Sequence, residues 1–340
     1  MIKSIGKVLA AVAVGVSLAG CNDFFDLQPT NEMVLDDFWK SEDDVKAVTG
    51  SCYRNMQESD FLKRVIVWGE FRSDNMLLSP SNGDDNLRYI ANLNLLPSNG
   101  YTSWGNFYNV INLCNTVERF APGVRDEDPN FTQSQLNAYL AEVKGIRAYC
   151  YFTLVRAFRD VPFVTEPVID DTDTFEAPQA DPDHIIDFLI DDLKAVEPRA
   201  AATYSNKTYT KSRMTQAAIR ALIADMCLWR GRYGECIEYC DRILRDANNV
   251  FTLVPSMSYS REVFTTGLSS ETIFELNYNT VNYWNYAVAD FYGEQSQGYA
   301  QQIIPYDFKT GVRQLFGETD LRERTSYYSN SVSYTHLRAH

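Results

Sequence analysis

Residues 221–244, ALIADMCLWRGRYGECIEYCDRIL, constrain the fold more than any other stretch. Apolar residues recur at helical spacing on both sides of Arg230-Gly231-Arg232-Tyr233, and Gly231 suits the left-handed position that ends one helix before another begins. Two helices joined by so short a turn lie side by side, and each needs a neighbour to cover its apolar stripe.

Further helices are written in the same chemistry. Ser41-Glu42-Asp43-Asp44 reads as an N-cap followed by carboxylates that favour the helix dipole, with Val45, Val48, Cys52 and Met56 behind it. Residues 104–120 are helical. Thr132-Gln133-Ser134-Gln135 forms a capping box, and Phe131 with Leu136 forms its hydrophobic staple. That helix stops near Arg159-Asp160-Val161-Pro162, because Pro162 disfavours helix at the residue before it. Asp181-Pro182-Asp183 starts another, with Asp at the N-cap and Pro at the first helical position. The pair at 221–244 resembles a tetratricopeptide repeat, with Cys236 where that repeat takes a small residue. The alternation at 271–278, ETIFELNY, predicts a short strand. The fold class is therefore all-α dominated, with minor short strands.

The N-terminus bears on location. Lys3 and Lys7 precede an apolar run at 8–18, too short to cross a bilayer, which takes roughly twenty residues. Leu18-Ala19-Gly20-Cys21 follows and resembles the bacterial lipobox. Residues 1–20 are then a lipoprotein signal peptide, and Cys21 is the lipidation site, where two acyl chains give stable anchoring. The other six cysteines sit in helical segments beside apolar residues and read as buried free thiols. Cys236 and Cys240, four apart on one helix, are poorly placed for a disulfide.

A net charge of −14 disfavours nucleic acid, which needs clustered Lys and Arg. Catalytic sets are also missing. Two of the three histidines lie in the last five residues, and His184 falls in the first turn of an amphipathic helix. There is no phosphate-binding glycine loop. Asp170-Asp171-Thr172-Asp173 lacks the glycine and distant glutamate of an EF-hand and reads as a solvated acidic loop. No cofactor or metal is implied. Two regions instead combine aromatic faces with amide, carboxylate and hydroxyl groups, the mixture that binds sugars. One is the turn-rich loop region 73–104, with Asp74, Asn75, Asn82, Asp84, Tyr101 and Trp104. The other is 278–299, with Tyr283, Trp284 and Tyr286.

The ordered set of stretches 24–53, 104–117, 141–167, 221–244, 271–279 and 307–328, behind the lipobox, resembles the SusD/RagB family of Bacteroidota surface lipoproteins. The resemblance implies a tetratricopeptide-like helix-pair scaffold with a loop-rich ligand-binding part, and a non-enzymatic role. It implies capture of oligosaccharide or polysaccharide, delivery to a SusC-like TonB-dependent transporter, and an outer membrane location at the cell surface through the N-terminal lipid. A peptide-capturing, RagB-like lipoprotein and a helical-repeat scaffold for protein assembly are the alternatives. Family members are longer, so residues 21–330 read as a SusD-like domain incomplete at its C-terminus. The ending SVSYTHLRAH, at 331–340, reads as a non-native tail.

Overall fold

The computed structural model describes residues 38–73, 76–80, 82–169, 177–247, 250–278, 284–293, 303–305, 327–329 and 335–337. The chain divides after Lys40 into two units. Of the first unit only 38–40 are described, with the Phe38 ring edge-on to Trp39 at 5.2 Å. The expected signal peptide and Cys21 lie outside the described residues. The second unit starts at Ser41 and holds every element below.

Local capping chemistry sets the helix starts. Helix α1 (Glu42–Met56) opens at Ser41, whose backbone N–H and hydroxyl both donate to the Asp44 carboxylate at 2.8 Å. Helix α2 (Ser59–Ile66) runs into a π-helical turn, Val67–Phe71. Helix α3 (Asp85–Ala91) starts at Asp84, and α4 spans Gly105–Glu127. Helix α4 passes its expected end near Phe120 and carries Pro122 inside, because Val117, Ala121 and Val124 continue its buried face. Helix α5 (Gln133–Phe158) has the capping box of Thr132 and Gln135, and its staple residues Phe131 and Leu136 are buried. Asp181 caps α6 (Pro182–Val196) by accepting from the N–H groups of Asp183 and His184. A short α7 (Lys207–Ser212) precedes the pair α8 (Gln216–Trp229) and α9 (Tyr233–Leu244), between which Gly231 adopts φ 70°. Helix α10 (Tyr286–Tyr292) follows.

Helix α5 is the central element. It is buried on nearly every side from Ala141 to Val155, and α1, α4, α6 and α8 pack around it. Two buried ionic clusters tie these helices together. Arg147, 2% exposed, donates to Asn115 at 2.9 Å, Glu118 at 2.6 Å and Asp192 at 2.9 Å. Glu142, fully buried, accepts two hydrogen bonds from Arg213 and further ones from the hydroxyls of Tyr53 and Tyr204.

Strands are short. β1 (Met76–Leu78) pairs antiparallel with β4 (Ile303–Pro305), with Leu77 opposite Ile304. β2 (Val161–Pro162) pairs with β3 (Gln179–Ala180), and β5 (Tyr327–Ser329) with β6 (Thr335–Leu337). The strand expected at 271–278 does not form; the segment is irregular. Its polar groups are held by helices instead. Lys211 donates to the Thr272 carbonyl at 2.6 Å, and the Glu275 N–H donates to the Lys211 carbonyl at 2.8 Å. The Tyr278 hydroxyl donates to the Gln57 carbonyl at 3.0 Å.

The six cysteines beyond Cys21 are all free thiols. Cys52, Cys114, Cys150 and Cys227 are buried as expected, whereas Cys236 is half-buried and Cys240 exposed, because they lie on the outer faces of α9. Among the described residues no helix is long and apolar enough to cross a membrane.

Candidate functional site: an aromatic cleft

The turn Val67–Phe71 that ends α2 is π-helical, a geometry that recurs at functional sites. It delivers Trp68. The Trp68 indole N–H donates to the Tyr101 carbonyl at 2.8 Å. Its ring stacks on Phe107 at 4.8 Å and meets Phe158 edge-on at 4.9 Å. Trp104, at the start of α4, lies 5.5 Å from Phe158 and 6.3 Å from Tyr108 between ring centroids. Its indole N–H is buried with no hydrogen-bond partner among the described residues.

These rings wall a cleft of about 430 Å³. Trp68, Trp104, Phe158 and Tyr101 line it together with Val67, Ile90, Ala157 and the loop residues Leu95, Leu96 and Pro97. Two backbone positions beside it are strained. Leu93 and Arg159 adopt φ 57° and 65°, left-handed values that cost a side-chain-bearing residue roughly 1–3 kcal/mol. Leu93 leads into the Leu95 wall and Arg159 follows Phe158. Such strain collects where structure serves a ligand or a switch.

A polar brace holds the loop wall. Asp84 accepts from the N–H groups of Asn86 and Leu87, capping α3, and its other oxygen accepts from the Tyr101 hydroxyl at 2.6 Å. Burial first, then the hydrogen bond and charge of Asp84, push the Tyr101 phenol well above its ordinary pKa, so it stays protonated. Asn82 exchanges hydrogen bonds with the Asp84 backbone. Asn99, buried, donates to the Asn86 carbonyl at 2.9 Å and accepts from the Tyr101 N–H at 3.0 Å. Thr102 donates to the carbonyls of Pro97 and Asn99. The polar side chains of the loop wall are thus engaged with the loop itself. Arg72 is the exception: exposed on the lining, it gives one N–H to the Ala157 carbonyl at 3.3 Å and has no ion pair among the described residues.

A second cleft, about 520 Å³, is polar and lined by Arg220, Arg242, Arg245 and their neighbours. Each of these arginines is already paired, with Glu197 and Asp246, Glu238, and Asp241 respectively, which leaves little for a ligand. No cluster of three or more metal-ligating side chains occurs among the described residues.

Of the residues expected at a site, Tyr101 and Trp104 line the aromatic cleft. Asn82 and Asp84 stand behind its wall as braces. Trp284 and Tyr286 are exposed at the start of α10 and do not line it. Helix α10 nevertheless adjoins the cleft wall: Phe291 packs with Val67, Phe71, Leu87 and Ile90, edge-on to Tyr101 at 6.5 Å, and Asp290 pairs with Lys63 at 3.0 Å. Asp74, Asn75 and Tyr283 lie outside the described residues. The region 73–104 is less irregular than expected, because Asp84 starts a helix within it. Sequence patterns did not point to Trp68, Arg72, Phe158, Leu95 or Leu96. Leu95 and Leu96 carried a signal, an apolar pair amid turn residues with no partner in the pattern.

No family model matches the chain. It is 26% identical over 258 residues to SusD-like protein P38 of Formosa agariphila, an alignment covering 75% of this chain and 48% of the relative. The chain spans about half the length of the curated relatives it matches. Among solved structures, surface glycan-binding protein A from Bacteroides uniformis superposes with a TM-score of 0.68 at 20% identity, covering 88% of this chain and 66% of that one. A laminarin binding SusD-like protein superposes with a TM-score of 0.57 at 20% identity, covering 66% and 49%. The two comparisons agree: the chain resembles SusD-like proteins in sequence and shares the helix-pair fold of these solved structures.

Proposed function

We propose that this is a cell-surface glycan-binding lipoprotein. It captures oligosaccharides or polysaccharides and hands them, chemically unaltered, to a SusC-like TonB-dependent transporter of the outer membrane. The aromatic cleft carries the reading. Ring faces of Trp68, Trp104 and Phe158 offer the flat apolar surface on which the C–H face of a sugar stacks. The relatives support it, since the solved structures that resemble this chain include a laminarin binding protein and a surface glycan-binding protein. The lipobox supports lipid attachment at Cys21, and the likeness to SusD-like proteins supports the transporter partner.

Titration calorimetry against a panel of soluble glycans tests the reading. At least one glycan binds without being cleaved, and Trp68→Ala weakens it about tenfold, the loss expected of one stacking ring. Peptide capture is the second reading. One observation favours it: Leu93 and Leu95 are 87% and 58% exposed at the cleft's loop, an apolar rim suited to peptide side chains. Binding of peptides and of no glycan sinks the first reading in favour of the second.

A further inference from the structure

We propose that the cleft selects saccharide rings carrying a carboxylate, that is, uronate-containing glycans, and that Arg72 is the residue that selects them. The inference rests on the reading that this cleft binds glycan.

Remaining valences decide the matter. A neutral sugar presents hydroxyls and needs free donors and acceptors around its rim. The loop wall offers few, because Asn99, Thr102 and Tyr101 are committed to the loop's own carbonyls, N–H groups and Asp84. The Trp68 N–H is committed as well. The walls therefore present carbon, and carbon stacks on the faces of a pyranose without meeting its hydroxyls. What is left uncommitted is the buried Trp104 indole N–H, a single neutral donor, and the charge of Arg72. Arg72 spends one N–H on Ala157 and keeps the rest of a planar fork of donors, with no carboxylate opposite it among the described residues. This is a cation with no ion pair among the described residues, on the lining of an apolar cleft, in a protein of net charge −14. A uronate fits both halves. Its C–H faces remain free to stack, and its carboxylate projects from the ring edge, where a guanidinium meets it with two parallel hydrogen bonds.

The test compares oligogalacturonate with its methyl ester, which has the same ring and no charge. Calorimetry is run at low and high salt on the wild type, Arg72→Gln and Arg72→Lys, each checked for native helicity and melting temperature. The wild type binds the acid at least about tenfold more tightly than the ester, the difference a charge-assisted pair supplies, and the margin narrows as salt rises. The acid-over-ester ratio falls towards one in Arg72→Gln and is partly kept in Arg72→Lys, where the charge remains and the fork is lost. A wild type that binds acid and ester alike overturns the proposal, as does an undiminished ratio in Arg72→Gln. Binding of neutral glycans but not of uronates overturns it while leaving the glycan reading intact. Binding of acidic peptides and of no saccharide overturns both.

Discussion

Glu142 shows how much one side chain holds. It is fully buried on α5 and gathers Arg213, Tyr53 and Tyr204 from three separate parts of the chain. Burial, and then the Glu142 charge, push the Tyr53 phenol well above its ordinary pKa, so it serves as a permanent donor. Removing one partner of such a cluster strands the others: Glu142→Ala should lose about 3–5 kcal/mol in urea unfolding. Asp84 is a second such residue with a different output. Asp84→Ala should cost about 1 kcal/mol through the lost N-cap and should also release the Tyr101 hydroxyl that steadies the cleft wall. Ligand affinity should therefore drop with the melting temperature, whereas an N-cap loss remote from the cleft, at Asp181, should lower stability alone. In the sequence Asp84 was visible as a polar loop residue. Its role as a brace was not, because that depends on a tyrosine seventeen positions away in the chain.

At the scale of elements, what could be read was what is local. Ser41, Thr132, Asp181 and Gly231 mark helix ends because capping is settled within a few residues. The strand at 271–278 failed for the converse reason: alternation describes a strand only when another strand pairs with it, and here helix residues take the backbone groups. Helix contacts also rest on single positions. A Cβ at Gly145 on α5 would run into the Met214 side chain and crowd Ile219 on α8. Gly145→Ala should thus destabilise by about 1–3 kcal/mol through overpacking, although alanine is the better helix former, as thermal unfolding would show. The α8–α9 turn is clamped by Asp187 of α6, which accepts from Arg230 at 2.9 and 3.1 Å and from Arg232 at 2.6 Å. The Arg230 hydrogen bond, with the charges of both arginines, lowers the Asp187 pKa. The folded protein therefore binds this proton less readily than the unfolded chain. The clamp's contribution is present above the unfolded value of about 4 and is lost as pH falls through the lower folded one. Asp187→Asn should lower stability at pH 7 and flatten that part of the acid limb, a comparison that chemical unfolding at stepped pH would make.

At the scale of the whole molecule, the scaffold was legible and the cleft only through Tyr101 and Trp104. Helix periodicity repeats along the chain, so its signal accumulates. The cleft is drawn from Trp68, Leu95, Trp104 and Phe158, and no spacing rule links them. Only the fold brings the end of α2, the loop after α3 and the end of α5 to one place. The pairing of β1 with β4 adds a consequence in time. Met76 lies opposite Pro305, so the sheet beside this loop cannot close until a segment more than two hundred residues later has emerged and found its partner. The helices α4, α5, α6 and α8, linked by neighbouring contacts, can settle well before that. Pulse-labelled hydrogen exchange during refolding should therefore show amides of α5 protected early and those of Met76–Leu78 among the last. A chain emerging from its N-terminus would then settle these helices while the strand beside the cleft loop still waits for its distant partner.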